Sequence, residues 1–160
     1  MIDAQQSDRL LRFFETMLSF YRDFLAFERE KYDLILSDDF AKLDEALRRE
    51  QAFTLKARGM ENDRKKLLQE TGVTQGTFRE LIPQTEPSRQ EKMRKLYEDI
   101  SAAVEDIRQV NDRSGRMIRL KTARVSKVLS NLEGHPELKQ IYSHNFKQEP
   151  GSESTLSRKV

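Results

Sequence analysis

The chain has 160 residues, enough for one domain with a core of its own. Apolar residues make up 36% and charged residues 35%, a balance that fits long amphipathic helices and excludes a compact sheet protein. A net charge of +2 calls for no nucleic-acid partner, the absence of cysteine excludes disulfides and thiolate metal sites, and the lack of a basic leader or of an apolar run longer than "FLAF" argues against a signal peptide or membrane insertion. The expectation is a soluble cytoplasmic protein.

The first helix is predicted over about 4–36, with Ser7 as a second possible cap one turn later. Leu10, Phe13, Phe14, Met17, Leu18, Phe20, Tyr21, Phe24, Leu25, Phe27, Leu34 and Ile35 recur at spacings of three and four. Four of the seven heptad columns are largely apolar, more than a helix with a single neighbour needs. In "LSDDF", Ser37, Asp38 and Asp39 compete to cap a second helix over about 39–71. Its apolar side carries Phe40, Leu43, Leu47, Phe53, Ala57, Met60, Leu67 and Leu68, and Gly72 is a fitting left-handed stop. So short a link predicts an antiparallel hairpin.

Residues 73–87, "VTQGTFRELIPQTEP", read as a connector with one short turn around Phe78–Ile82. Ser88 is the expected cap of a third helix over about 88–132, whose stripe runs from Met93 and Leu96 to Leu129 and Leu132. Single-sided stripes bury only against one another, so the fold class is all-α: an elongated three-helix antiparallel bundle, a helical hairpin plus a long third helix. The third helix exceeds the hairpin arms by roughly a dozen residues, so one of its ends should overhang. Residues 1–132 form the expected bundle, and 133–160 a polar, aperiodic, flexible C-terminal tail.

Catalytic and cofactor chemistry is not encoded. The two histidines, His135 and His144, both fall in the tail, and no Glu-x-x-His pair, P-loop, dinucleotide fingerprint or zincin motif occurs. The carboxylates have basic neighbours at helical spacing, Glu45 and Arg49 for example, and read as solvated helix support. No catalytic residue, cofactor or metal is expected, and the chain reads as a binding protein.

From Asp112 to Lys127 there are six basic residues and one acidic. Arg116, Arg119, Arg124 and Lys127 share a face opposite Met117, Ile118, Val125, Val128, Leu129 and Leu132. That face is open to three readings: a solvated surface complementing the helix dipole, a protein-binding surface, or a contact to nucleic acid or lipid. Lys121 interrupts the apolar arc, where its stem can snorkel; it reads either as the point where internal packing ends or as a single interrupted position of the kind common in natural helices. Asn111, Ser114 and Gly115, poor helix formers in mid-helix, read as small polar residues that permit close helix approach and fix register.

The same residues carry a family resemblance. "LYEDISAAVEDIRQVNDRSGRMIRLKTARVSKVLSNL" after a helical hairpin resembles the flagellar export chaperones of the FlgN type. That family's third helix carries two asparagines three apart, then glycine and an apolar pair. Here "NDRSGRMI" keeps Asn111, Gly115 and Met117/Ile118 but has Ser114 for the second asparagine. "ILSDDFAKLDEALRRE" is similar to the family's junction of the first two helices at Asp39, Leu43 and Glu50, and "IYSHNF" with the closing "LSRKV" is similar to its Tyr-containing tail.

The resemblance implies a chaperone of flagellar type III export that binds the C-terminal helices of hook-associated proteins. It also implies docking to the export gate or its ATPase complex through a tail tyrosine, here Tyr142 with Ile141 and Phe146. Subunit helices that are amphipathic and not yet polymerised need a cover, and an overhanging apolar helix supplies one. The candidate client stripe is Met117, Ile118, Val125, Leu129 and Leu132, and the second candidate face is Phe13, Phe20 and Phe27. The competing reading is a non-catalytic coiled-coil tether, or a homodimer hiding the first helix's wide stripe.

Overall fold

The computed structural model describes residues 2–73, 76–137 and 140–141, and among them the chain is helical without a strand. Helix α1 spans Ala4–Ser37 and is opened by Asp3, not Ser7. The Asp3 carboxylate accepts from the Gln6 amide at 2.7 Å while the Gln6 side chain accepts from the Asp3 amide, a reciprocal capping box. Ser7 is fully buried, its hydroxyl accepting from the Glu86 amide at 3.2 Å. It joins the start of α1 to the residue that precedes α4 instead of starting a helix.

At the far end of α1 the three candidate caps divide the work. Ser37 donates to the Leu34 carbonyl, and Asp38 turns the chain in the left-handed region (φ 58°). Asp39 caps α2, Phe40–Glu70, by accepting from the Lys42 amide at 3.1 Å. Gly72, at φ 78°, follows the end of α2 in the left-handed conformation that an L side chain resists. The connector holds a short α3, Phe78–Leu81, opened by a Thr77/Glu80 capping box, and a 3-10 turn, Ile82–Gln84. Helix α4 then runs over Pro87–Asn131. It begins one residue before the expected cap: Pro87 sits at the first helical position, where its fixed φ suits the helix and its missing N–H costs nothing, so Ser88 falls inside.

Helix α1 is the middle element, packed along α4 extensively and along α2 less so. This explains its wide stripe: two neighbours require apolar residues on two sides. Helix α2 is antiparallel to α1, with Lys31–Glu50 (3.0 Å) near the turn and Arg9–Glu70 (2.7 Å) at the other end. Helix α4 is parallel to α1, in register through Asp8–Arg89 (2.9 Å), Glu15–Lys92 (2.5 Å) and Arg22–Asp99 (3.7 Å). The bundle therefore runs up, down, up.

One end is sealed by the connector. Phe78 stacks on Phe14 (centroids 3.7 Å, 11°) and meets Tyr97 edge-on at 5.5 Å, while Leu81, Ile82 and Thr85 are buried. The Ile2 amide donates to the Gln84 carbonyl at 2.8 Å, tying the start of the chain beneath the same cap.

Candidate functional site

The other end is open, and helix lengths make it so. Because the connector fixes the start of α4 against the start of α1, a 45-residue helix laid beside a 34-residue one must project past it. The Ser7–Glu86, Glu15–Lys92 and Arg22–Asp99 contacts, with offsets of 77 to 79 residues, place Ser37, the end of α1, beside residues 114–116, and Lys121 reaches back to it with its side chain. Its Nζ donates to the carbonyl of Ile35 and pairs with Asp38, and it stands 3.4 Å from the Leu36 carbonyl. A cation thus meets the unsatisfied carbonyls of a helix C-terminus. The ten residues from Thr122 to Asn131 extend beyond that contact, about 15 Å of helix.

The burial pattern follows the same division. Met93, Leu96, Ile100, Ala103, Ile107 and Ser114 are the buried residues of α4, and no described residue after Ser114 is buried. The apolar stripe nevertheless continues. Met117, Val125, Leu129 and Leu132 are half-buried and Ile118 is 45% exposed, joined by Val128, which is also exposed. All five residues of the expected client stripe therefore lie on one helical arc at the open end. Leu36 and Phe40 at the hairpin tip are exposed too, beside the Lys121 contact. Sequence reasoning missed these two; the signal was an apolar residue directly on each side of the "SDD" turn.

The second expected face is placed differently. Phe20 and Phe27 are buried in the α1–α2 interface, where Phe53 lies 6.0 and 4.9 Å from their ring centroids. Phe13 is half-buried, edge-on to Phe14 at 5.5 Å. Of the tail residues, Ile141 is exposed, and Tyr142 and Phe146 lie outside the described residues.

Just below the open end is a buried polar layer. Lys31 stands 2.9 Å from Glu28 Oε2 and 3.0 Å from Glu50 Oε1, all three residues buried. Neither Glu28 oxygen receives a well-directed hydrogen bond, and burial pushes the Glu28 carboxyl above its usual range despite the adjacent Lys31. The same offsets of 77 to 79 residues set Ser114 beside residues 35–37, past this layer and at the last turn of α1. The Ser114 hydroxyl is buried without a hydrogen-bond partner among the described residues, and Asn111 is half-buried. Gly115 serves no close approach: an added Cβ would meet only the Arg119 side chain, at 3.4 Å.

The charges of α4 also change character along the helix. Its first half is ion-paired, through Arg89, Lys92, Arg94, Asp99 and Arg108. Arg113, Arg116, Arg119, Arg124 and Lys127 are exposed, and none has an ion-pair partner among the described residues. No helix among the described residues is long and apolar enough to cross a membrane.

No curated protein and no solved structure gives a significant match to the chain. A family model does: that of the FlgN protein matches residues 1–150. The protein, a three-helix bundle sealed at one end and with its last helix projecting from the other, belongs to the FlgN family, a family of flagellar export chaperones.

Proposed function

We propose that the protein is a cytoplasmic chaperone for hook-associated proteins, holding their C-terminal helical segments on Met117, Ile118, Val125, Leu129 and Leu132 until export. The observation that supports this reading is the persistence of the apolar stripe after internal burial stops at Ser114. An amphipathic client helix can lay its own stripe there by helix-in-groove packing, removing from water the surface that drives premature association. The aromatic face of α1 is the weaker candidate, because Phe53 already covers Phe20 and Phe27. Delivery to the export gate is assigned to the segment containing Ile141, Tyr142 and Phe146.

Calorimetric titration with a C-terminal fragment of a hook-associated protein tests the client role. A saturable isotherm with a negative heat-capacity change is expected, as buried apolar surface requires. Val125→Asp with Leu129→Asp should abolish it. A flat trace with folded protein would favour the tether reading. For delivery, Tyr142→Ala should weaken binding to the export-gate component and leave the client isotherm unchanged; equal loss of both would sink the assignment.

A further inference from the structure

The projecting end of α4 carries more than apolar surface, and its charge restricts what can cover it. At about 100° per residue, Met117, Ile118, Lys121, Val125, Val128, Leu129 and Leu132 fall within an arc of about 120°. That arc is centred on the angular position of Ser114, which is buried toward α1. Beyond α1's last turn the same direction faces no part of α1. Arg124 and Arg113 stand about 20° and 40° outside one edge of the arc. The other edge is bordered by Thr122 and Ser126, both uncharged; Lys127 and Arg119 lie about 80° outside the first and second edges, and Arg116 lies on the far face. The stripe thus has close cations on one border only, Arg113 and Arg124, and neither has an ion-pair partner among the described residues.

We infer that the partner of this surface is an acidic amphipathic helix, with carboxylates along one border of its apolar face to meet Arg113 and Arg124. This rests on the reading of α4 as the client stripe and adds the chemistry by which a client is selected. Two arguments carry it. From Met117 to Leu132 the stripe is about 22 Å long, which matches about four turns of a partner helix. Charge complementarity then decides between occupants. A second copy of this chain would bring another segment of six basic residues and one acidic against the first, and like charges at an interface exclude wrong partners. A helix with acidic residues on one border is attracted, and the asymmetry of the border also fixes which way round it lies. In the first half of α4, Arg89 and Lys92 pair with carboxylates of α1, and Arg94 and Arg108 with carboxylates of α4 itself, so those four cations are already engaged.

The test uses the full chain and two synthetic amphipathic peptides of about 18 residues. Both carry leucines at i, i+3, i+4 and i+7; one has glutamates along one border, the other glutamines. At low ionic strength the glutamate peptide should bind about tenfold more tightly, as several exposed ion pairs together allow. In about 0.5 M salt the ratio should fall toward one. Arg113→Glu with Arg124→Glu, two exposed positions without internal partners, should reverse the preference in a protein of unchanged helicity. Equal binding of both peptides, lost in Val125→Asp with Leu129→Asp, would overturn the acidic selection and leave the client stripe standing. Binding of neither peptide, or binding that survives that double variant, would overturn the stripe itself. Capture on phosphatidylglycerol vesicles through the same arginines, undisturbed by the glutamate peptide, would overturn the inference in favour of a lipid surface.

Discussion

Lys31 is the side chain on which the polar layer depends. It stands between the buried carboxylates of Glu28 and Glu50, at 2.9 and 3.0 Å. Lys31→Met removes the cation beside the fully buried Glu28 carboxyl and should cost about 3–5 kcal/mol, read from urea unfolding. Glu28 behaves in the opposite sense. Burial raises its carboxyl above the unfolded value, so over the interval between the two the folded chain binds a proton that the unfolded chain does not. Its contribution to stability is therefore greatest below the unfolded value and is lost as pH rises through the folded one. Against Glu28→Gln, which fixes the neutral form, wild type should lose ground as pH rises above the usual carboxylate range; a gap that widens in favour of wild type would show that Lys31 holds the charge. None of this was legible in sequence, where Glu28 and Lys31 look like any solvated pair three apart. Arg49 was misread for the same reason: it reaches across to Glu30 at 3.1 Å and lies over the Phe27 ring, leaving Glu45 aside. Gly115 was expected to let helices approach, yet it meets nothing but the end of Arg119. Gly115→Ala should accordingly stabilise α4 by about 1 kcal/mol, visible as a raised midpoint of unfolding.

The helices themselves were legible because burial on one side imposes spacings of three and four, and α1 declared its two neighbours by the width of its stripe. Element ends were less so. Ser7 and Ser88 have the right chemistry for caps, but tertiary contacts took one into the Glu86 junction and Pro87 displaced the other. The sequence also showed that α4 must overhang without showing where. The side is fixed by the connector, whose Phe78 stacks on Phe14 and so sets the start of α4 beside the start of α1. Lys121 then closes the account at the other end, and its role is testable. Lys121→Ala removes a cation from the last carbonyls of α1 and should cost about 0.5–1 kcal/mol. Amide exchange should quicken in the last turn of α1 and in α4 beyond Lys121, while amides near Met93 and Ile100 stay protected. Uniform quickening along α4 would mean that Lys121 holds the whole helix and not its end.

At the scale of the molecule the two ends divide stability from binding. The sealed end and the middle contain the residues whose loss collapses the bundle: Phe24 is 2% exposed and stacks on Phe53 at 5.1 Å, so Phe24→Ala should cost about 3–5 kcal/mol. The open end contains surface the bundle does not use. Val125 and Leu129 lie past the last buried residue of α4, beyond the end of α1, so an aspartate at each removes little internal packing. Each should shift stability by no more than about 0.5 kcal/mol. The family alone does not require this separation; it follows from a third helix longer than the bundle that supports it. Chemical denaturation of the Val125→Asp, Leu129→Asp double variant beside Phe24→Ala measures it directly. A double variant as stable as wild type yet unable to bind a client helix assigns the projecting stripe to binding alone. A loss as large as that of Phe24→Ala would mean that the stripe is packed against this chain's own residues in solution, and the client would then have to be sought on another face.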